Sequence, residues 1–262
     1  MMPTLFFIHG LWSRPSTFAT LRQELAAAGL PSVAITLPYH DLPPGSPAPM
    51  PLGKLKLADY VASLRRDLAA VEGPVIVVGH SMGGLLAQLL TAASPGRVRG
   101  LALLSTAPSA QTQLHAISLS SIKAVAGMTL HWGWWAEPLL IDQQVARHAV
   151  YNGVSEEETR VGLADLTWDS GAVLAQISAP LLDPTHGSRV DYSALQLPAL
   201  VIAGLEDQIV PPGVSRSTAR LLTANGASVD YEEWPGVGHW LFHDAVRPRL
   251  AAALTRFATS LG

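Results

Sequence analysis

A chain of 262 residues, 48% hydrophobic and 14% charged, is long and apolar enough to bury a sizeable core, which excludes a disordered or fibrous protein. Its net charge of −3 and the lack of any basic cluster beyond Arg65-Arg66 exclude the electrostatic footprint of a nucleic-acid binder. The absence of cysteine excludes disulfides, thiol catalysis and zinc–thiolate sites.

The first residues, Met1 to Ile8, have no charged leader region and no cleavage site, and their apolar run is too short for a signal segment. No apolar stretch is long enough to span a bilayer, so no membrane span is expected and the cytoplasm is the expected compartment. Leu5 to Ile8 reads as a short buried strand that ends at His9-Gly10-Leu11-Trp12. Thr17 to Ala28 reads as a helix with Phe18, Leu21 and Leu25 on one face and Gly29 as its stop. Val33 to Leu37 is a second strand, closed by Pro38. Residues 38–53 hold Pro38, Pro43, Pro44, Pro47, Pro49 and Pro51, which makes them a long, semi-rigid loop. Leu57, Val61, Leu64, Leu68 and Val71 then recur at the spacing of an apolar helical stripe, ended by Gly73-Pro74.

Val75-Ile76-Val77-Val78 is a run of β-branched apolar residues, the pattern of a strand buried on both faces. It passes through Gly79-His80-Ser81-Met82-Gly83 into the helix-forming Leu85 to Leu90. Strand, Gly-x-Ser-x-Gly and helix is the context of a nucleophile elbow: the tight turn strains the serine backbone, and a Cβ at Gly79 or Gly83 would collide with the neighbouring chain. Gly100 to Ser105 is a further buried strand. Alternating helices and buried strands imply a parallel sheet covered on both faces.

This rhythm breaks near Ala107. Residues 108–190 show no strand pattern but do show helical patches over Glu137 to Tyr151 and Ser155 to Asp165, the second opened by a cap-like Ser155 before three glutamates. Four of the seven tryptophans lie here, at Trp132, Trp134, Trp135 and Trp168. The segment reads as a helical cap inserted between a first core part, 1–107, and a second, 191–262. The α/β pattern resumes at Pro198 to Gly204, followed by a helix from Pro211 to Ala224. Next come a polar-apolar alternating edge strand at Ser228 to Glu232 and a last helix from about Asp244 to Leu261.

A serine hydroxyl needs an adjacent base, and the base needs an orienting carboxylate. In sheets of this kind the working loops lie at the carboxyl ends of the strands. No Asp or Glu occurs between Glu72 and Glu137, so the loop after the Gly100 strand offers no acid of its own. The loop after Gly204 offers Glu206 and Asp207. The short Asp207, followed by Gln-Ile-Val-Pro, suits a tight turn that presents a carboxylate, and the competing reading is an N-cap for the next helix. Among nine histidines, His239 in Gly236-Val237-Gly238-His239-Trp240 is the candidate base; His243 is the alternative, and His80 is expected to point into packing. Oxyanion donors are expected from the amides of Met82 and Leu11, with Trp12 next in line. Trp12, Met82, Trp134, Trp135 and Trp240 are candidate pocket residues.

These motifs resemble the α/β-hydrolase superfamily: His9-Gly10 after the first strand, Gly-His-Ser-Met-Gly at 79–83, the Gly204-x-x-Asp207-x-x-Val210-Pro211 loop and Gly238-His239, in the family order Ser, Asp, His. The resemblance covers almost the whole chain and is weakest over 108–190, where such proteins carry variable caps. It implies an α/β-hydrolase fold and a serine hydrolase that cleaves a small, fairly apolar carboxylic ester or lactone through an acyl-enzyme. It implies no metal or cofactor, and a monomer or homodimer. Only four residues precede Leu5, so the two extra opening strands typical of the family are not expected, and the sheet should have six parallel strands. Shorter plant esterases and hydroxynitrile lyases look similar in this respect. The aspartate nucleophile of the dehalogenases is replaced by Ser81. C–C bond hydrolases, cofactor-free oxygenases, hydroxynitrile lyases and non-catalytic receptors share the framework and stay as alternatives.

Overall fold

The computed structural model describes residues 2–262. In chain order the strands are β1 (Thr4–Ile8), β2 (Ser32–Ala34), β3 (Val75–His80), β4 (Val98–Leu104), β5 (Pro138–Leu139), β6 (Asp169–Ser170), β7 (Ala199–Gly204) and β8 (Val229–Trp234). The helices are α1 (Ala19–Ala27), α2 (Leu57–Ala70), α3 (Met82–Ala92), α4 (Leu119–Thr129), α5 (Gln143–Ala149), α6 (Glu156–Ala164), α7 (Gly171–Ser178), α8 (Pro212–Ala224) and α9 (Arg247–Thr259). Six strands form one sheet in the order β2-β1-β3-β4-β7-β8, every neighbouring pair parallel, as expected. The fold is that of an α/β hydrolase, and among the described residues every strand of this sheet is parallel to its neighbours.

The two-residue period of the strands decides the core. Phe6 and Ile8 of β1, Val75 and Val77 of β3 and Leu101 and Leu103 of β4 point into one apolar layer, with α2, α3 and α8. Leu5, Phe7, Ile76, Val78, Ala102 and Leu104 point into the other, with α1 and α9. Both sheet faces are therefore dry, which is why the strands are continuously apolar in sequence. Each such large side chain contributes about 1.5–3 kcal/mol on burial. The edge strand β8 carries Asp230 and Glu232 in alternation with Val229 and Tyr231, matching the expected pattern, and Glu233 then breaks it.

Residues 108–190 depart from expectation in two places. The helix expected over Glu137 to Tyr151 begins only at Gln143, because the Asp142 side chain accepts from the amides of Gln144 (2.8 Å) and Val145 (3.1 Å) and caps it there. The residues before it form β5, which pairs antiparallel with β6 (Pro138 opposite Ser170, Leu139 opposite Asp169), although no strand was expected in this stretch. Two-residue strands leave no periodicity to read. Ser155 does cap α6, accepting from the Glu158 amide at 3.3 Å. Among the described residues, no helix is long and apolar enough to cross a membrane.

Candidate active site

β3 ends where the chain must turn directly into α3. Ser81 takes φ 54° and ψ −123°, a conformation that costs a non-glycine residue of order 1–3 kcal/mol. The surroundings impose it: the Ser81 amide donates to the Leu104 carbonyl (3.0 Å), and the Ser81 carbonyl accepts from Gly84 and Ala107 (2.8 Å each). A Cβ at Gly83 would overlap the carbonyl of Ile8, and one at Gly79 the backbone of Gly83, so the crossing of β1, β3 and α3 admits only glycine at both points.

Asp207 lies in the loop after β7. Its Oδ1 accepts from the amides of Ile209 (3.0 Å) and Val210 (2.8 Å), which fixes the carboxylate. Its Oδ2 accepts from His239 Nδ1 at 2.6 Å, in a pair that is almost fully buried. Helix α8 takes Pro211 as its N-cap, so the capping role considered for Asp207 is not the one it plays. Glu206 is exposed. His239 follows β8 and faces the same cavity as Ser81. With Nδ1–H committed to Asp207, Nε2 is the nitrogen left free to accept a proton.

His80 sits beside this pair, as its expected packing role required. Its ring lies 4.7 Å from that of His239 and 4.9 Å from that of Phe242, and its Nε2–H donates to the His239 carbonyl at 3.0 Å. Burial holds its pKa well below 6.5, and the neighbouring His239 lowers it further, so His80 stays neutral. His243, the alternative base, is absent from the cavity lining.

The loop after β1 faces Ser81: a Cβ on Gly10 would lie 2.9 Å from Ser81 Cβ. The Gly10 carbonyl is held from two sides, by His9 Nδ1–H (3.0 Å) and by the Ser13 amide (3.4 Å). His9 Nε2 in turn accepts from the Leu37 amide at 3.4 Å. Burial, with the neighbouring His40 adding to it, lowers the His9 pKa to about 3 and keeps it neutral. In a trans peptide the carbonyl and the next N–H point in opposite directions, so fixing Gly10 O turns the Leu11 N–H away from His9. Among the described residues the Leu11 amide has no internal acceptor. Met82 is the first residue of α3, where helix amides lack intrahelical partners. The Trp12 amide, next in line as a donor, is spent on Asp169 Oδ2 at 3.1 Å.

The cavity above Ser81 and His239 has a volume of about 370 Å³. Trp12 and Trp240 line it, but Trp134 and Trp135, expected there, do not. They stack edge-on against each other with centroids 6.1 Å apart, and Trp135 packs against the exposed Trp132. The Met82 side chain is fully buried in the core and does not line the cavity either. The apolar wall comes from Ile122 and Val125 of α4 and Leu174 and Ile177 of α7, which the sequence did not single out. Their three-residue spacing marks a helix face but not what that face meets. No Asp, Glu, Lys or Arg is among the lining residues.

A model of the alpha/beta hydrolase family matches residues 5–253. The chain is similar to a pimeloyl-[acyl-carrier protein] methyl ester esterase of Chromobacterium violaceum, with 28% identity over 225 residues, 84% of this chain and 82% of that protein. Its structure is similar to that of a pyrethroid hydrolase from Sphingobium faniae JZ-2 (TM-score 0.74, 21% identity, 99% of this chain and 98% of the other). It is also similar to that of a methylesterase from Arabidopsis (TM-score 0.71, 17% identity, 99% of this chain and 100% of the other). The six-stranded parallel sheet, the serine turn between β3 and α3 and a family match over nearly the whole length lead to one assignment: the chain belongs to the alpha/beta hydrolase family.

Proposed function

We propose that this protein is a serine esterase that cleaves a small, uncharged and largely apolar carboxylic ester, a lactone being its cyclic equivalent, without a metal or cofactor. The observation that carries the reading is the 2.6 Å bond from His239 Nδ1 to Asp207 Oδ2, made by a ring that faces the cavity of Ser81. In the first half-reaction His239 Nε2 takes the Ser81 proton as Oγ attacks the ester carbonyl. The carbonyl oxygen becomes an oxyanion held by the Leu11 and Met82 amides. The tetrahedral intermediate collapses, the C–O bond to the alcohol breaks, and His239 returns its proton to the departing alkoxide. In the second half, His239 deprotonates a water that attacks the acyl-enzyme, and Ser81 leaves reprotonated as the acid is released. Asp207 keeps the imidazole in the Nδ1–H tautomer and stabilises its charged form.

The cavity wall supports an uncharged acyl or alcohol part, because a carboxylate or ammonium there would be desolvated without a partner. The similarity to an esterase named for a methyl ester supports the same bond type. The test is turnover of p-nitrophenyl butyrate with a burst of p-nitrophenol equal to the enzyme concentration. Ser81→Ala should fold and lose both burst and turnover. Near-normal turnover by Ser81→Ala would overturn the serine mechanism. Turnover of a β-diketone or a cyanohydrin without any burst would favour the carbon–carbon or lyase alternatives.

A further inference from the structure

We propose that Asp169, reaching in from the segment between β4 and β7, is a positioning residue for the oxyanion hole, acting through the backbone of Trp12. The inference rests on the esterase reading above.

Asp169 is fully buried and makes four hydrogen bonds. Oδ2 accepts from the Trp12 amide (3.1 Å) and faces His40 Nε2 (3.2 Å). Oδ1 accepts from the Tyr60 hydroxyl (2.9 Å) and the Ser170 amide (2.7 Å). The other nitrogen of His40, Nδ1, faces the Pro38 carbonyl at 3.0 Å. Each ring nitrogen of His40 thus faces an oxygen, one of them on a buried carboxylate. Burial works against that carboxylate, but His40, the Ser170 amide and Tyr60 outweigh it and hold the Asp169 pKa below the usual range. Tyr60 is pushed well up, first by burial and then by Asp169, and remains a phenol that donates. The carboxylate thus collects donors from β6, α2, the proline-rich loop and the loop after β1.

What this assembly holds is one strained residue. Trp12 has φ +59°, an unusual conformation for a bulky side chain. Its amide is fixed by Asp169 and its carbonyl by the Thr167 amide at 3.0 Å. Two positions on, Arg14 Nε donates to the Asp165 carbonyl at 3.1 Å. Residues 165–169 therefore run along the Trp12–Arg14 segment and grip it. Leu11, whose amide is the proposed donor, lies between this grip and the Gly10 carbonyl held by His9. An oxyanion donor acts only if its direction is set in advance. Trp12 left unclamped can relax to negative φ; the Leu11–Trp12 peptide then rotates, and Leu11, whose own N–H lies in the preceding peptide, is no longer held from its carboxyl side. A buried carboxylate is a poor stabiliser compared with apolar packing, so stability alone is a weak reason for Asp169 to be there.

The experiment compares the full-length protein with Asp169→Asn on p-nitrophenyl butyrate and its thionoester, in which the carbonyl oxygen is sulfur. Asparagine is nearly isosteric, but each carboxylate oxygen accepts two bonds, so its NH2 group must face donors on one side. The expected result is a kcat lowered roughly 10- to 100-fold with KM nearly unchanged. The preference of the enzyme for the oxygen ester over the thionoester should fall towards one, because sulfur is a weak acceptor that an intact oxyanion hole discriminates against. Unchanged kcat overturns the proposal. So does a lowered kcat with the oxygen–sulfur preference intact, the outcome of a merely structural role. If Asp169→Asn does not fold, Tyr60→Phe and His40→Gln loosen the same carboxylate from either side and should each reduce the preference; preserved preference in both overturns the proposal. Turnover by Ser81→Ala would instead strike the esterase reading itself, which separates the two failures.

Discussion

His80 Nε2–H donates to the His239 carbonyl at 3.0 Å, so the residue just before Ser81 holds the backbone of the proposed base. Because His80 is neutral, it has one hydrogen to give, and it gives it here. His80→Phe keeps the ring packing against Phe242 and leaves the His239 carbonyl without its donor. The expected cost is about 1–3 kcal/mol of stability. A drop in kcat should accompany it as the ring drifts from Ser81, read by urea unfolding and by p-nitrophenyl butyrate turnover. Unchanged values on both would show that the bond orders nothing.

Stability should fall on mild acidification. His9 and His80 are buried and neutral, with pKa values lowered from 6.5, that of His9 to about 3. Below pH 6.5 the unfolded chain binds protons that these two side chains refuse in the folded state. The native state is therefore favoured above pH 6.5 and progressively less so as pH falls towards 3. Each buried histidine contributes a slope of up to about 1.4 kcal/mol per pH unit in that window. Urea midpoints measured from pH 8 down to pH 5 should be flat first and then drop. A midpoint constant to pH 5 would mean that neither ring stays neutral when folded.

Asp207→Asn should leave the loop intact, since an amide oxygen can still accept from Ile209 and Val210. It should reduce kcat by about 10⁴-fold, as a histidine in the wrong tautomer does in a comparable triad. Glu206→Gln should leave kcat near that of the parent, because the Glu206 side chain is exposed. The reverse outcome would move the acid by one residue.

Gly10→Ala is a geometric probe of the space above the nucleophile. The added Cβ would stand 2.9 Å from Ser81 Cβ and 3.3 Å from the His80 carbonyl, so the loop must move away from Ser81. Turnover should fall roughly 100-fold, the scale of a 1 Å misplacement. The melting temperature should change little, because the loop rather than the sheet yields. Full activity would show that the loop after β1 has more freedom than its bonds to His9 and Ser13 imply.

Leu174 and Ile177 on α7 line the cavity. Leu174→Trp should shift the preferred p-nitrophenyl ester to a shorter acyl chain. Overpacking a site of this kind costs about 1–3 kcal/mol of stability. An unchanged chain-length profile would place the acyl group elsewhere in the cavity.

The sequence alone determined the sheet and the three loops around which the site is built. Val75 to Val78 could only be a strand buried on both faces, and Gly79 and Gly83 could only serve a crossing too close for a Cβ. Asp207 and His239 were legible because a short turn and a glycine-flanked loop, each at the end of a strand, are local chemistry. Tertiary structure alone decided the rest. Trp134 and Trp135 read as pocket residues, yet they pack on each other, because nothing in a run of tryptophans says which way it faces. Ile122, Val125, Leu174 and Ile177 became the cavity wall through the docking of two short helices from a segment with little pattern of its own. Asp169 meets Trp12, His40 and Tyr60 across 157, 129 and 109 residues of chain. Local periodicity reports the partners of a residue one turn or one strand away. A carboxylate that collects its donors from four separate elements exists only once the chain has closed around it.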